Sequence, residues 1–191
     1  MDKNFKVRLF KEDDLDEVTH INWTCLPENY VKSFFRDIHY RFPKAFFVAS
    51  VDNKVVGYIM CRVEKGFSVI KRLSIAKKGH IISIAVLPEY RSRGIGQVLV
   101  FKILESMSSE YNVSECYLEV RPSNRAAINL YKKFTFKMVR EISGYYRDGE
   151  SAYVMTLDLS KNKLTPNIGV QHFNSRPFRK REIQSTGNRD F

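Results

Sequence analysis

A segment rich in glycine and arginine stands where an apolar strand is predicted to give way to a helix. Glycine permits the tight backbone turn that lets consecutive N–H groups converge on an anion at a helix N-terminus, and arginines add positive charge. The segment is therefore a candidate cradle for a pyrophosphate, with an ordinary strand-to-helix turn as the alternative for so short a motif. It consists of Arg91, Ser92, Arg93, Gly94, Ile95 and Gly96.

The cradle differs from two widespread nucleotide-binding motifs. No Gly-Lys-Ser/Thr sequence follows it, which disfavours the phosphate loop of nucleoside triphosphatases. It also does not match the dinucleotide motif G-x-G-x-x-G. A different phosphate-bearing cofactor is therefore expected.

Hydrophobic periodicity predicts the elements that position the cradle. The apolar run 80–87 predicts a strand that stops at Pro88, and apolar residues at every fourth position predict a helix from about 94 to 109. A second strand and helix follow, with Ser123 as the predicted helix cap. The other predicted elements are strand 5–10, a helix opened by 12–14, helix 31–39, hairpin 45–51 with 55–63, strand 113–120, a helix over 126–134, and hairpin 136–142 with 153–159. This order predicts a mixed α/β fold.

Composition indicates one soluble globular domain with an appendage. The chain has 191 residues, of which 43% are apolar and 28% charged, and its net charge is +11. No apolar run approaches the roughly 20 residues of a membrane span, and the N-terminus lacks the apolar core of a secretory signal. Three widely spaced cysteines, Cys25, Cys61 and Cys116, suit a reducing compartment. We therefore expect a cytoplasmic protein without a membrane segment.

The predicted boundary between domain and appendage lies near residue 159. Residues 160–191 carry seven basic and two acidic residues, and their apolar residues have neither helical nor strand spacing. The segment 65–78 is also basic, with five basic residues and no acidic one, and we interpret it as a solvated excursion of the sheet. The prediction is a folded domain over 1–159 and a basic C-terminal extension over 160–191.

Several motifs, taken in their order along the chain, resemble the GNAT acetyltransferases. The cradle has the pattern R-x-x-G-x-G after an apolar strand, and Ser-Asn-Arg-Ala-Ala at 123–127 and Leu-Tyr at 130–131 are similar to the family's acetyl-CoA site. Four further stretches resemble N-terminal acetyltransferases of the archaeal Ard1, NatA catalytic-subunit and RimI-like group. They are LPENY at 26–30, GHIISIAV at 79–86, LEVR at 118–121 and GYYRDGE at 144–150. The resemblance covers the domain and leaves the extension uncovered.

The resemblance implies a fold, a reaction and a cofactor. The implied fold is a largely antiparallel, twisted sheet of about seven strands with a central splayed β-α-β-α core and helices on both faces. The implied reaction is direct transfer of an acetyl group from acetyl-CoA to the α-amino group of a protein or nascent-chain N-terminus, with coenzyme A as product. No metal is implied.

The resemblance also implies which residues contact the cofactor. Backbone groups of Ile84, Ala85 and Val86 would pair with the pantetheine amides, and the cradle amides would hold the pyrophosphate. Asn124 would contact the cofactor farther along. Tyr131 lies seven positions after Asn124, on the same face of a helix, and its implied role is to protonate the leaving thiolate. Core packing is the alternative for this tyrosine taken alone.

Three residues are candidates for the base that accepts the proton of the attacking amine. His80 stands at the mouth of the apolar strand, and an imidazole exchanges a proton near neutral pH. Glu119 lies on the next strand. The positions that match His80 and Glu119 in archaeal relatives act together as the general base, through ordered water, although eukaryotic relatives often carry His at the position of Glu119. The alternative is a solvated histidine with Glu119 paired to Arg121. Glu28, in LPENY, is the third candidate, for positioning or proton transfer.

The peptide slot is implied by the resemblance as well. Tyr30, Tyr145 and Tyr146 would wall it and hydrogen-bond the substrate backbone, because a tyrosine combines an apolar ring with a polar tip. A plain sheet surface is the alternative for the Tyr145–Tyr146 pair. The remaining predicted lining residues are Leu26, Pro27, Glu28 and Arg121.

An α-amino group is favoured over a lysine on energetic grounds. With pKa values of about 8 and about 10.4, their deprotonation at pH 7 costs roughly 1.4 and 4.6 kcal/mol respectively. A slot enclosed by two loops also disfavours an internal lysine, because polypeptide continues on both sides of that residue. A lysine acetyltransferase of the same fold, a non-catalytic acetyl-CoA-binding module and a nucleic-acid-binding protein are the alternatives.

Charge suggests a partner beyond the substrate. The segments 65–78 and 176–181 would steer the enzyme toward ribosomal RNA, where nascent N-termini emerge, unless they are merely solvated faces. An auxiliary subunit and a homo-oligomer stay open.

Overall fold

The computed structural model describes residues 4–71 and 73–160. Within these residues the helices are α1 (Leu15–Cys25), α2 (Lys32–Arg41), α3 (Ile95–Ser109) and α4 (Arg125–Lys133), with two short 3-10 turns at Glu12–Asp14 and Pro88–Tyr90. The strands are β1 (Lys6–Leu9), β2 (Phe46–Val51), β3 (Lys54–Phe67), β4 (Ile75–Val86), β5 (Glu115–Val120), β6 (Lys137–Ile142) and β7 (Ala152–Asp158). Apart from Ser160, the predicted basic extension lies outside the described residues.

The strands form one seven-stranded sheet in the order β1-β2-β3-β4-β5-β7-β6. Every neighbouring pair is antiparallel except β4 and β5, which run parallel. Their pairing is short, because it joins only Lys78–His80 to Glu115–Tyr117 before the two strands diverge. This sheet confirms the predicted fold class, including the splayed centre.

The hairpin of β3 and β4 is longer than the sequence pattern predicts. β3 continues to Phe67 and β4 begins at Ile75, so Lys65 and Lys77 are paired residues near the end of a ladder. Lysine-rich sequence hides strand periodicity, because strands projecting past the core need no apolar face. His80 therefore lies in the middle of β4, and its predicted position at the mouth of the strand is wrong.

Both faces of the central strand β3 are covered. Its residues 55–61 are buried without interruption, and α1 and α3 both pack against it. Gly57 makes the close approach of β4 feasible, since a Cβ at this position would lie 2.9 Å from the carbonyl oxygen of Ala85. The hydrophobic core therefore surrounds β3, which pairs with β4 where β4 diverges from β5.

A buried ion pair holds β1 to the start of α1. Asp14 is 5% exposed and accepts hydrogen bonds from Arg8 at 2.6 and 2.7 Å and from the Lys11 amide at 2.8 Å. Burial raises the pKa of the Asp14 carboxyl, but the hydrogen bonds from Arg8 and Lys11 outweigh it, so the pKa lies below its usual value.

Of the helices in the described segments, none is long and apolar enough to cross a membrane.

Candidate active site

The divergence of β4 and β5 opens a cleft with two connected parts. One part, of about 490 Å³, runs past the start of α3 and is called the cofactor groove here. The other part, of about 440 Å³, lies between the LPENY loop and the β6–β7 turn and is called the peptide slot. Cys25, Leu26, Ile84, Asn124 and Ala127 line both parts, so the two communicate.

The cofactor groove is lined by the predicted cradle and by the end of β4. Ser92 and Gly94 have φ angles of 59° and 86°, and this left-handed backbone turns the chain sharply into α3. The first turn of α3 leaves the backbone N–H groups of Ile95 and Gly96 without acceptors inside the helix, so they suit an anion. Ala85 and Val86 line the groove beside them.

The two cradle arginines support the loop through its own backbone. Arg91 lines the groove and donates from Nε to the carbonyl oxygen of Val86 at 2.9 Å. Arg93 donates to the carbonyl oxygen of Glu89 at 2.7 Å and lies over the ring of Tyr90. Arg93 is absent from the described residues that line the groove, so its visible contacts shape the turn.

Helix α4 carries the residues that close the far side of the cleft. Asn124 is its N-cap, because its side-chain oxygen accepts from the Ala127 amide at 3.1 Å. The predicted cap, Ser123, is wrong: its amide instead donates to Glu150 at 2.9 Å. Asn124 thus combines capping with a place in both the groove and the slot.

Tyr131 faces the peptide slot from the buried side of α4. The residue is 5% exposed, and its ring packs at 5.6 Å from that of Phe136. Burial, and then the neighbouring Tyr146 and Cys116, raise the pKa of its phenol above the usual value. Tyr131 therefore holds its proton at neutral pH and is able to donate it to an anion in the cleft.

His80 and Glu119 meet where β4 and β5 separate. Nε2 of His80 lies 2.7 Å from Oε2 of Glu119, and both side chains, 12% and 14% exposed, line the slot. The alternative in which Glu119 pairs with Arg121 is wrong, because the Arg121 guanidinium is occupied by three other carboxylates. The structure thus brings together the two residues that the sequence placed on neighbouring strands.

Arg121 ties together the two walls of the slot. Its guanidinium contacts Glu28 of the LPENY loop at 2.6 Å, and Glu150 and Asp148 of the β6–β7 turn at 2.7 and 2.8 Å. It also lies 3.8 Å from the ring centre of Tyr146. We call these residues the Arg121 clamp. The carboxylate of Glu28 is held in a wall of the slot by this clamp.

The tyrosines predicted to wall the slot do line it, together with Leu26 and Pro27. Tyr30 stacks on Phe34 with ring centres 4.7 Å apart. The rings of Tyr145 and Tyr146 meet edge to face at 5.0 Å. The Tyr145–Tyr146 pair therefore faces the cleft, and the alternative of a plain sheet surface is wrong.

Sequence reasoning missed the residue that holds the LPENY loop. Asn22 is fully buried, donates to the carbonyl oxygen of Glu28 at 3.2 Å and to the Tyr58 hydroxyl at 3.0 Å, and accepts from the Tyr30 amide at 2.9 Å. Its signal in the sequence is an amide among the apolar positions of α1, beside Val18 and Ile21. Such a residue indicates a buried hydrogen-bond network.

A second missed group lies behind His80. Tyr117 stacks on His80 with ring centres 4.4 Å apart and an 8° interplanar angle, and its hydroxyl donates to Glu64 at 2.8 Å. Arg62 donates to Glu64 at 2.5 Å. Arg62 and His80 are partners in the β3–β4 register, a pairing that the sequence alone did not supply.

The comparisons with known proteins agree with this geometry. The sequence model described as the acetyltransferase (GNAT) family matches residues 15–136. An N-alpha-acetyltransferase of Saccharolobus solfataricus is 51% identical over 158 residues, which cover 82% of this chain and 95% of that relative. The chain belongs to the GNAT family, in its N-alpha-acetyltransferase branch. The predicted activity, acetyl transfer from acetyl-CoA to an α-amino group, is thereby confirmed.

Solved structures agree with the fold of this acetyltransferase. Ard1 from Thermoplasma volcanium has a TM-score of 0.68 and 30% identity, over 81% of this chain and 97% of that one. Naa50 from Arabidopsis thaliana, in complex with the bisubstrate analogue CoA-Ac-MVNAL, has a TM-score of 0.68 and 29% identity, over 81% and 98% of the two chains. The likeness covers the domain that carries the cleft.

The cofactor of the family fits the cleft of this acetyltransferase. GNAT acetyltransferases use acetyl-CoA, as the resemblance implied, and the groove offers helix N-terminal amides for its phosphates beside a diverging strand edge. The groove joins the slot along Ile84, Asn124 and Ala127, and Tyr131 lines the slot. Residues 4–71 and 73–160 contain no group of three His, Cys, Asp or Glu side chains placed to hold a metal ion.

Proposed function

We propose that this N-alpha-acetyltransferase deprotonates the α-amino group of a protein N-terminus with the pair of His80 and Glu119. The observation that carries the proposal is the 2.7 Å contact between the two side chains at the junction of β4 and β5. Both line the peptide slot. A base at this point reaches an amine that enters through the slot, directly or through one water.

Glu28 has a different role in this proposal. Its carboxylate is paired with Arg121 at 2.6 Å, so it gives shape and negative charge to the slot wall. A positively charged N-terminus is attracted to this wall before it loses its proton. Tyr30, Tyr145 and Tyr146 enclose the first residues of the chain from both sides. Leu26 and Pro27 complete the wall.

Tyr131 serves as the general acid. Acetyl-CoA supplies the acetyl group as a thioester. As the amine nitrogen bonds to the carbonyl carbon and the carbon–sulfur bond breaks, the phenol gives its proton to the departing sulfur, and the proton that the nitrogen then loses returns through solvent to restore the phenol. The phenol is protonated at neutral pH, because burial raises its pKa above the usual value. His80 and Glu119 thus act on the attacking nitrogen, and Tyr131 acts on the departing sulfur.

The cofactor is held mainly by backbone. Groups of Ile84, Ala85 and Val86 face the cleft where β4 has left β5, and they suit the amides of the pantetheine arm. The turn at 91–96 suits the pyrophosphate, with Arg91 on the lining and Arg93 bracing the turn. Asn124 completes the set from α4.

The proposal is tested with two peptide sets and acetyl-CoA, read by mass shift. Peptides with free N-termini are acetylated, and peptides with blocked N-termini and internal lysines are not. His80→Ala and Glu119→Gln each lower kcat by about 10²- to 10³-fold. Glu105→Gln, on the outer face of α3, is the matched control and keeps full activity. Preferential transfer to lysines, or an unchanged rate in both variants, contradicts the proposal.

We also propose a cytoplasmic, archaeal-type enzyme that works near the ribosome. The free thiols of Cys25, Cys61 and Cys116 suit a reducing compartment. The segments 65–78 and 176–181 carry positive charge that favours RNA. Replacing the basic residues of 176–181 by serine in the full chain is expected to reduce co-sedimentation with ribosomes. Unchanged co-sedimentation would remove this segment from the proposal.

A further inference from the structure

We propose that Glu64, together with Tyr117, is a positioning residue that orients His80 and stabilises its protonated form during the transfer. The inference rests on the proposed role of His80 as part of the base. It concerns residues on the far side of His80 from the slot. Glu64, Tyr117 and Arg62 are absent from the described residues that line either part of the cleft.

Tyr117 fixes the plane of the imidazole. The two rings are nearly parallel, with an 8° interplanar angle and 4.4 Å between centres. The Tyr117 hydroxyl donates to Glu64 Oε2 at 2.8 Å, which prevents the ring from sliding along its neighbour. A base must be held in a narrow range of orientations to meet its proton, so this stack bears directly on the rate.

Glu64 faces the second nitrogen of His80. Nδ1 of His80 is buried without a hydrogen-bond partner among the described residues, and Oε1 of Glu64 lies 3.6 Å away. Nε2 already faces Glu119. A neutral imidazole has one N–H, whereas the protonated ring has two and satisfies both carboxylates. The site is therefore arranged to favour the ring that has just accepted a proton.

Glu64 keeps its negative charge for this purpose. Burial raises the pKa of its carboxyl, but hydrogen bonds from Tyr117 and Arg62 outweigh burial and hold the pKa below its usual value. Burial and the nearby carboxylates of Glu64 and Glu119 raise the pKa of Tyr117, which therefore remains a hydrogen-bond donor.

The charged and titratable groups around His80 come from every neighbouring element. Glu64 and Arg62 lie on β3, Glu119 and Tyr117 on β5, and Lys78 on β4 stands 5.1 Å from the centre of the Tyr117 ring. Tyr30 and Tyr145 approach Glu119 from the two loops of the slot. Arg62 offsets part of the charge of Glu64, so the expected effect of Glu64 is moderate.

The experiment is the pH profile of kcat at saturating acetyl-CoA and free N-terminal peptide, because the acidic limb of kcat/KM would also contain the ionisation of the unbound peptide amine. Glu64→Gln preserves shape and removes the charge. We expect kcat to fall about tenfold, and the acidic limb to move to lower pH by about half a unit, with both KM values unchanged. The shift has this sign because a protonated imidazole that loses an anionic neighbour forms only at lower pH. Glu64→Asp, which keeps the charge, restores the limb.

Two further variants complete the design. Tyr117→Phe keeps the ring stack and removes the hydroxyl, so it is expected to lower kcat about threefold with a smaller shift of the limb. Glu141→Gln, on the exposed strand β6, is the matched control and leaves rate and profile unchanged. Circular dichroism and thermal unfolding verify that each variant is folded.

The outcomes separate this inference from the function on which it rests. A folded Glu64→Gln variant with an unchanged profile overturns the inference, as does a lower rate without a shift of the limb. If Glu64→Gln fails to fold, Tyr117→Phe decides: an unchanged rate together with an unchanged limb in that variant overturns the inference. A His80→Ala variant with the wild-type rate overturns the proposed base itself, whatever Glu64→Gln does.

Discussion

The cofactor groove and the peptide slot share one cleft but are built from different materials. The groove is lined mainly by one stretch, 84–97, and by α4, with Cys25 and Leu26 completing it. The slot is made of side chains from distant segments, such as Arg121 and Glu28, which are 93 positions apart in the sequence. Local backbone tolerates changes of side chain, whereas a long-range charge network depends on every member. The slot is therefore the part through which substitution can change selectivity.

The largest effect is expected at Tyr131, which lines the slot but acts on the thioester of the cofactor in the proposed mechanism. Tyr131→Phe removes the hydroxyl group that carries the proton and keeps the ring, so we expect kcat to fall by about 10²-fold with both KM values unchanged. Steady-state kinetics with each substrate varied in turn checks this. Tyr153→Phe, on β7 and outside the lining, is the control. A raised KM with unchanged kcat would mean that the phenol contributes only to binding.

A smaller effect, confined to the slot, is expected at Arg121. Arg121→Met leaves Glu28, Asp148 and Glu150 facing one another without their shared cation. We expect the KM for peptide to rise about thirtyfold, equivalent to about 2 kcal/mol, with the KM for acetyl-CoA unchanged. Arg140→Met on the exposed strand β6 is the control. An equal rise in both KM values would break the distinction between groove and slot.

A substitution at Asp14, outside both the groove and the slot, is expected to affect the stability of the protein and not its activity. Asp14→Asn removes the charge opposite Arg8 and is expected to lower the free energy of unfolding by about 1.5 kcal/mol at pH 7. Because the folded-state pKa of Asp14 is lowered, its contribution is complete at neutral pH and is lost as the pH falls through that lowered value. Denaturant unfolding of both proteins at several pH values should show the difference shrinking on acidification. Asp13→Asn, at an exposed neighbour, should change little, and a difference that grew with acid would contradict this account.

The smallest expected effects concern two glycines with nearly the same φ angle, one in the groove and one beside the slot. Gly94 in the cradle and Gly149 in the β6–β7 turn have φ angles of 86° and 87°, and a Cβ at either would meet nothing within 4 Å. Alanine at each position costs about 1 kcal/mol of backbone strain. We expect Gly94→Ala to raise the KM for acetyl-CoA about fivefold, and Gly149→Ala to raise the KM for peptide by a similar factor. If each variant affected both substrates, the two regions would not be independent.

The turn that forms part of the groove could be located from local sequence because its residues are contiguous. The turn at 91–96, with Gly94 in a left-handed conformation, could be located from residue types and from the switch between strand and helix. The order of the central strands and helices along the chain followed from hydrophobic periodicity in the same way. The lysine-rich ends of β3 and β4 were underestimated, since they carry no apolar pattern.

The supporting network of the slot required the fold. Arg121 was predicted to line the slot, but its partners Glu28, Asp148 and Glu150 lie in separate loops that only the tertiary structure joins. Glu64 reaches His80 through a strand register that no local pattern encodes. Family resemblance identified residues that line the slot, whereas the residues behind them carry weak sequence signals.

The short parallel pairing of β4 with β5 has a thermodynamic consequence. Beyond His80, β4 stays paired with β3 but no longer with β5, so its edge facing the cleft is open to hydrogen bonds from a bound ligand. Cofactor occupancy and resistance to unfolding are thereby linked, and coenzyme A at 100 times its Kd adds about 2.7 kcal/mol. Amide hydrogen exchange at Ile84 to Val86 should slow most on its addition. The metabolic supply of acetyl-CoA would then influence how long the enzyme persists as well as how fast it works.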